Sequence, residues 1–103
     1  FAPMDANALL SLLGKWQRAD VALHTGGDLA AALGRITAVV CNMPFAQDMM
    51  FTLEECRAEH LLTARSTFKP IPTCWGHFGM LGVAAEDKQF IDRAIADLLA
   101  IEP

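Results

Sequence analysis

Two short apolar runs separated by a helical segment limit what this chain of 103 residues can fold into. Residues 36–41 and residues 68–74 are short and largely apolar, as buried strands are, and each run is followed by a loop. Between them, Thr52 and Glu55 have the spacing of a capping box, which predicts a helix from residue 52 to about residue 64. This order of strand, helix and strand predicts two parallel strands joined by a right-handed crossover.

The rest of the chain predicts three more helices. Residues 5–18 place leucines at helical spacing behind Asp5, an N-cap residue, and predict a helix with one broad buried face. Residues 29–33 predict a short helix that Asp28 can cap. Residues 86–100 separate an apolar face from a charged face and predict the last helix. The elements together predict an α/β fold in which helices cover the strands.

The sequence also predicts which faces of these elements are buried. The run 36–41 is mostly apolar and β-branched, which predicts a strand buried on both faces. The run 68–74 contains two prolines that cannot donate to a ladder, which predicts a strand toward the edge of the sheet. In the last helix, Asp87 lies on the charged face, opposite Phe90 and Ile91, and is expected to be exposed.

The composition indicates a larger core than this chain can build alone. Hydrophobic residues make up 53% of the chain and charged residues 19%, against roughly 25% charged residues in typical soluble domains. A free domain of this size hides only about two thirds of its unfolded surface. Two parallel strands also need neighbours on both faces. We therefore expect residues 1–103 to be part of one α/β domain with an incomplete sheet.

Charge and cysteine content exclude several classes of partner and location. The net charge is −4 and the basic residues are scattered, which argues against nucleic acid as a partner. No apolar run approaches the roughly 20 residues of a membrane-spanning helix, so no membrane association is expected. The three cysteines are odd in number and lack framework spacing. Reduced thiols and a cytoplasmic location are therefore predicted.

A histidine and an aspartate follow the two predicted strands and form the main candidate site. His77 lies between Gly76 and Gly79 just after the run 68–74, and Asp48 ends the loop after the run 36–41. Histidine exchanges protons near neutral pH and needs a carboxylate to orient it in catalysis. Because the carboxyl ends of parallel strands lie at one edge of a sheet, we expect the two side chains to meet.

These candidates have structural alternatives. His77 can be a structural histidine in a turn, and Asp48 can stabilise its own turn, although Thr52 already fills the neighbouring role of helix cap. Met49, Phe51 and Phe78 are next to the pair in sequence and are predicted to line the substrate site. Packing around the mouth of the site is the alternative for these apolar residues.

The order of strand, Asp loop, helix, strand and Gly-His resembles the C-terminal third of an α/β-hydrolase, whose triad runs Ser, Asp, His along the chain. More narrowly, the chain is similar to the homoserine O-acetyltransferase family. The similar stretches are residues 5–10 with Trp16 and Asp20, residues 27–36, residues 47–51 and residues 75–78. The sequence departs from that family at Thr52, often proline there, and at Phe78-Gly79, where an acidic residue is more usual. A related acyltransferase or an esterase is the alternative.

The resemblance implies acyl transfer or ester hydrolysis through a Ser-His-Asp triad. His77 would be the general base and Asp48 the residue that orients it. Ser11 and Ser66 lack the Gly-x-Ser-x-Gly pattern, so the nucleophile is expected upstream of Phe1, and the isolated chain is expected to be inactive. The implied partners are a small-molecule acyl donor and acceptor, the upstream half of the fold and a second copy in a homo-oligomer. No cofactor is expected to be bound, and acetyl-CoA is a candidate donor.

Two other classes of function fit parts of the sequence. Cys56 and His60 have helical spacing, and Cys74 and His77 have turn spacing, so the four residues could form a Cys2His2 zinc site. The apolar excess could instead serve a subunit interface in a non-catalytic α/β assembly module. The zinc site requires the four ligands to converge. The assembly module does not require an acid and a base to be paired.

Overall fold

The computed structural model describes residues 5–101. The chain divides into two compact units, Phe1–Ala32 and Leu33–Pro103. The first unit is helical, and the second contains the strands and the candidate site.

The first unit begins with α1 (Ala6–Arg18), as predicted. The Asp5 carboxylate caps the helix by accepting a hydrogen bond from the Ala8 amide at 3.1 Å. The predicted broad buried face is wrong, because no residue of α1 is buried and Trp16 is 56% exposed. The rest of this unit is one turn of 3-10 helix (Leu23–Thr25) and the start of a short α-helix, and these small elements leave the leucine stripe uncovered.

The short helix α2 (Leu29–Leu33) lies at the boundary between the units. It has the predicted bounds, and the Asp28 carboxylate accepts a hydrogen bond from the Ala31 amide at 2.9 Å. Local capping chemistry therefore determined where both N-terminal helices begin.

The second unit is a parallel β-α-β arrangement followed by a helix. Its elements are β1 (Val40–Asn42), α3 (Leu53–Leu62), β2 (Ser66–Phe68), a 3-10 segment (Gly76–Leu81) and α4 (Ala85–Leu99). The strands pair in parallel, with Val40 opposite Ser66 and Asn42 opposite Phe68. The predicted α/β class with two parallel strands and covering helices is confirmed.

The first strand is shorter than predicted. Residues 36–41 were expected to form a strand buried on both faces, but β1 begins at Val40 and its residues are half-buried. The ladder starts where a partner is available, at the hydrogen bond from the Val40 amide to the Arg65 carbonyl of 2.8 Å. A β-branched run is not sufficient for a strand, because strand bounds depend on the neighbouring strand.

The second strand lies earlier in the chain than predicted. The expected strand at residues 68–74 is replaced by β2 (Ser66–Phe68) and by one isolated parallel bridge between Phe45 and Ile71. Pro70 and Pro72 cannot donate to the ladder, so pairing resumes only at Ile71, between them. There the Ile71 amide donates to the Pro44 carbonyl at 2.8 Å, and Ile71 is 2% exposed.

The crossover helix α3 begins as predicted and ends two residues earlier than expected. Thr52 and Glu55 form the reciprocal capping box, in which each backbone amide donates to the other side chain at 3.3 Å. The helix ends at Leu62, where the Thr63 amide closes the last turn on the His60 carbonyl at 3.1 Å. The capped helix therefore begins directly after the loop that contains Asp48.

The last helix, α4, has its expected length, and its predicted apolar face is largely the buried one, since Ala94 is buried and Phe90, Ile91 and Leu98 are half-buried. Asp87 was expected on the exposed face, yet it is 6% exposed and shares the buried side of the helix with Ala94. Ile95 and Leu99, which belong to the apolar face of residues 86–100, are nevertheless 42% and 80% exposed. The burial of Asp87 follows from helical spacing, because residues 87, 91 and 94 lie on one stripe of the helix although their side chains differ in polarity.

Much of the apolar surface of the described residues is uncovered. The buried apolar residues among them are Ala22, Ile71 and Ala94, while many leucine, methionine and aromatic side chains are exposed. None of the helices within residues 5–101 combines the length and hydrophobicity required to cross a bilayer.

Candidate active site

The bridge between Phe45 and Ile71 brings two loops to the same edge of the sheet. After Phe45 the chain forms a tight turn at residues 45–48, closed by a hydrogen bond from the Asp48 amide to the Phe45 carbonyl at 3.0 Å. After Ile71 the chain continues to the 3-10 segment that contains His77. Because both loops follow parallel strands in the same direction, their side chains can meet without a long connection.

The structure brings Asp48 and His77 together. Nδ1 of His77 lies 2.9 Å from Oδ2 of Asp48. The Asp48 side chain is 3% exposed and that of His77 is 32% exposed. The carboxylate is thus buried behind an imidazole that reaches the surface, which is the arrangement of a base and its orienting acid. Whether the pair is catalytic stays a prediction.

Backbone amides hold the other oxygen of the carboxylate. Oδ1 of Asp48 accepts hydrogen bonds from the Met50 amide at 2.8 Å and the Phe51 amide at 3.1 Å. Burial alone raises the pKa of Asp48, but the hydrogen bonds from His77, Met50 and Phe51 and the charge interaction with His77 outweigh it and lower the pKa below the usual 3.8. These two donors could not be recognised from the sequence, because they are backbone groups of ordinary residues.

The hydrogen bonds determine which imidazole nitrogen is free. With its pKa lowered, Asp48 is ionised at neutral pH and can only accept. Nδ1 of His77 therefore carries the proton that is donated to Oδ2. Nε2 of a neutral His77 is then left as an acceptor, able to take a proton from a hydroxyl group.

A cavity of about 440 Å³ opens beside the pair. Its wall is formed by β1, the 45–48 turn, Phe51, His77 and Met80. The Phe51 ring lies 5.6 Å from the His77 ring, centroid to centroid, at an interplanar angle of 45°. Phe51 thus borders the cavity beside His77, and its role in lining a substrate stays a prediction.

The other two predicted lining residues lie in a different concave region. Met49 and Phe78 line a depression of about 330 Å³ together with Trp75 and the other side of His77. Both side chains are largely exposed, Met49 at 87% and Phe78 at 67%. The three predicted lining residues, Met49, Phe51 and Phe78, therefore do not line one pocket. His77 borders both concave regions.

The wall of the larger cavity also includes Phe45, Cys56 and Met80, which were not predicted to line it. Cys56 lies one helical turn after the Thr52 cap, a position that could have been recognised as facing the Asp48 loop. Burial, followed by the charges of Glu59, Glu55 and Asp48, raises the pKa of the Cys56 thiol above the usual 9.0. The thiol is therefore protonated at neutral pH and is not activated as a nucleophile.

The predicted zinc ligands do not converge. Among residues 5–101 there is no group of three or more His, Cys, Asp or Glu side chains that could hold a metal ion. Nδ1 of His60 is instead 2.9 Å from the Ser66 hydroxyl, and Cys74 is exposed. The geometry does not favour the zinc alternative.

Ser66 is the one serine of the second unit, and it is bound to a different histidine. His60 stacks on Phe68, with ring centroids 5.4 Å apart. In the part of the chain that the structure describes, no carboxylate is hydrogen-bonded to His60, so this pair lacks the third member that a triad requires.

Comparison with known sequences relates the chain to esterases. No family model matches it. It is 46% identical over 100 residues to an ethyl acetate hydrolase of Pseudomonas veronii, covering 97% of this chain and 29% of that protein. It is 43% identical over 98 residues to a probable esterase of Corynebacterium glutamicum, covering 95% and 28%. A homoserine O-acetyltransferase of Leifsonia xyli is 36% identical over 85 residues, covering 81% and 21%.

Two solved structures contain the same fold. The acetyl esterase MekB matches with a TM-score of 0.92 and 46% identity, over 98% of this chain and 29% of that one. An acetylester hydrolase from Corynebacterium glutamicum matches with a TM-score of 0.87 and 43% identity, over 92% and 27%. The chain spans less than a third of the length of these relatives, and the predicted α/β class is confirmed by both. Its relatives are esterases and, at greater distance, a homoserine O-acetyltransferase.

Proposed function

We propose that this chain supplies the aspartate and the histidine of a Ser-His-Asp triad in an enzyme that hydrolyses acetate esters. The observation that carries the proposal is the 2.9 Å contact between His77 Nδ1 and the buried Asp48 carboxylate. The relatives support the reaction, because two of them are an ethyl acetate hydrolase and an acetyl esterase.

In this reaction His77 takes the proton of a serine hydroxyl through Nε2 as the serine attacks the ester carbonyl. Asp48 stabilises the imidazolium that forms, and His77 then returns the proton to the departing alcohol. Water, activated by the same imidazole, releases acetate in the second half of the reaction. The serine belongs to a segment before Phe1, as the resemblance to α/β-hydrolases implies.

Hydrolysis is favoured over acyl transfer by the identities of the relatives. The two esterases are 46% and 43% identical to this chain, whereas the homoserine O-acetyltransferase is 36% identical over a shorter stretch. Transfer of an acetyl group from acetyl-CoA to a small acceptor is therefore the second candidate. Neither reaction needs a bound cofactor. The cytoplasmic location expected from the cysteines is compatible with both reactions.

The test is a graft of this chain into a relative. The matched 100 residues of the Pseudomonas veronii hydrolase are replaced by the matched residues of this chain, and the product is called the graft. We expect the graft to hydrolyse ethyl acetate and to lose about 10⁴-fold or more in kcat when His77 is replaced by Ala. His24→Ala is the matched control, since His24 is an exposed histidine of the other unit.

Two results would count against the proposal. One is a folded graft that hydrolyses esters equally well with His77→Ala. The other is a folded graft without ester hydrolysis that transfers acetyl groups from acetyl-CoA to homoserine, which would establish the second candidate. Circular dichroism and thermal unfolding of the graft and its variants verify that each is folded.

A further inference from the structure

Gly76 and Gly79, on either side of His77, each contact the turn that contains Asp48. We propose that these two glycines are positioning residues that hold the 45–48 turn within hydrogen-bond reach of His77. The effect on catalysis rests on the proposed function, whereas the effect on the hydrogen bond does not.

Gly76 touches the backbone of the residue before Asp48. A Cβ atom at Gly76 would lie 2.7 Å from the Gln47 carbonyl oxygen and 3.3 Å from its carbonyl carbon. The neighbour is backbone, so no side-chain rotation can relieve the contact. Gln47 and Gly76 directly precede Asp48 and His77. The close approach of Gln47 and Gly76 therefore limits the distance between the backbones of Asp48 and His77.

Gly79 touches the other end of the same turn. A Cβ atom there would lie 2.7 Å and 2.8 Å from two carbon atoms of the Phe45 ring. Phe45 closes the turn through its carbonyl and pairs with Ile71 in the isolated bridge. Gly79 is itself buried. The two glycines thus lie against two residues of the 45–48 turn, Gly79 against the ring of the first and Gly76 against the backbone of the third.

The hydrogen bonds within the turn do not depend on the glycines. Oδ1 of Asp48 is held by the Met50 and Phe51 amides, which belong to the same stretch of chain. A side chain at position 76 would therefore move the turn and its carboxylate as a unit, away from His77. A displacement of about 1 Å would take Nδ1 and Oδ2 out of hydrogen-bond range, and misplacements of that size can cost about 10²-fold in rate.

Gly82 provides a matched control for Gly76. Both have positive φ, +52° at Gly76 and +67° at Gly82. Replacement by Ala therefore strains the backbone at either site. A Cβ atom at Gly82, however, meets nothing within 4 Å. A difference between Gly76→Ala and Gly82→Ala then reports the contact with Gln47 rather than the strain.

The direct readout is the proton NMR signal of the hydrogen-bonded Nδ1–H of His77. It is recorded in the 103-residue chain and in the graft, and it is identified by its loss in His77→Ala. We expect the downfield signal in the parent and in Gly82→Ala, and its loss or upfield movement in Gly76→Ala. An unchanged signal in Gly76→Ala overturns the proposal, as does its absence from both parent proteins.

A double-mutant cycle tests Gly79. Gly79→Ala should weaken the same signal, and Phe45→Ala should remove the clash that causes this, because it deletes the ring that the new Cβ meets. We expect Gly79→Ala to have a smaller effect when Phe45 is already Ala. Equal effects in the two backgrounds would show that Gly79 does not act through Phe45 and would overturn this half of the proposal.

Kinetics of the graft separate this proposal from the proposed function. Gly76→Ala should lower kcat about 10²-fold with KM changed by less than about twofold, and Gly82→Ala should lower kcat by less than about threefold. If the signal responds as expected but the graft is inactive, the positioning role stands and the esterase fails. If the graft is active and Gly76→Ala changes neither kcat nor the signal, the esterase stands and the positioning role fails.

Discussion

Asp48 and His77 are 29 positions apart in sequence, and their side chains meet at 2.9 Å. Each follows a strand of the same parallel pair, and the residues of the bridge, Phe45 and Ile71, precede them by three and six positions. The carboxylate is buried and bound on both oxygens, whereas among the described residues only Nδ1 of the imidazole has a hydrogen-bond partner. This asymmetry indicates that Asp48 orients His77 and that His77 meets the substrate.

Replacing Asp48 by Asn should abolish most of the activity without unfolding the site. The Asn carbonyl oxygen can still accept from the Met50 and Phe51 amides, which places the Asn amide group against Nδ1. Two donors cannot face each other, so His77 takes the tautomer with its proton on Nε2 and can no longer act as a base. We expect kcat of the graft to fall about 10⁴-fold.

The matched control for that variant is Asp92→Asn, which removes an exposed carboxylate paired with Lys88 on α4. Its kcat should equal that of the parent. A graft in which Asp48→Asn keeps more than about a tenth of the parent rate would contradict an orienting role for Asp48, since the loss would be far smaller than the tautomer change requires.

The stability contributed by Asp48 should disappear in acid. Because the folded-state pKa of Asp48 is lowered below the usual 3.8, the contribution is complete above that value and is lost as the pH falls through the folded-state pKa. At pH 7 we expect Asp48→Asn to reduce the free energy of unfolding by about 2 kcal/mol, as for a hydrogen bond to a charged group.

Denaturant unfolding between pH 7 and pH 2 measures the free energy of unfolding of the parent and of its Asp48→Asn variant. The difference in the free energy of unfolding should stay constant down to about pH 4 and then narrow as the pH falls through the folded-state pKa of Asp48, below which both proteins carry a neutral side chain at position 48. A difference that widens in acid would mean that the pKa of Asp48 is raised in the folded state. Asp92→Asn again serves as the control.

The candidate pair could be predicted from sequence because its cause is local. An apolar run followed by a polar loop indicates the end of a strand, and two such ends in a β-α-β unit must lie at one edge. The capping box at Thr52 showed where the intervening helix begins, which left Asp48 without a competing role as its cap. The fold class followed from the same alternation of elements.

The strand bounds and buried faces could not be predicted, because they depend on contacts between distant residues. Val40 begins β1 because Arg65 supplies its first hydrogen-bond acceptor, which nothing in residues 36–41 indicates. The cavity wall formed by Phe45 and Met80 likewise depends on how two loops pack, which sequence periodicity does not encode. The burial of Asp87, by contrast, could have been predicted, because helical spacing places it on the same stripe as Ile91 and Ala94.

Cys56 should react slowly with thiol reagents although it lines the cavity. Burial and the charges of Glu59, Glu55 and Asp48 raise the pKa of its thiol, so little thiolate is present at pH 7.5. Cys74 is exposed. We expect iodoacetamide to modify Cys74 at least about tenfold faster than Cys56, because both access and thiolate formation limit the reaction.

Peptide mass spectrometry of samples quenched over time measures both rates in one experiment. The double variant Cys41→Ser/Cys74→Ser leaves Cys56 to be measured without competition, and unfolding the parent in urea should make the rates of Cys56 and Cys74 similar. Rapid modification of Cys56 in the folded protein would contradict its burial beside Asp48. It would also mean that the cavity is more open to solvent than the structure indicates.

The purified 103-residue chain should hydrolyse ethyl acetate no faster than buffer does. In the second unit, the Ser66 hydroxyl is bound to His60, and that histidine stacks on Phe68, so Ser66 is not held against the pair of Asp48 and His77. An acid and a base without a nucleophile retain little of the effect of a triad, since removing the serine alone costs about as much as removing all three residues.

The assay compares the chain with its Asp48→Asn variant and with the graft. Turnover by the chain that depends on Asp48 would mean that a nucleophile lies within these 103 residues, and Ser66→Ala and Ser11→Ala would then identify it.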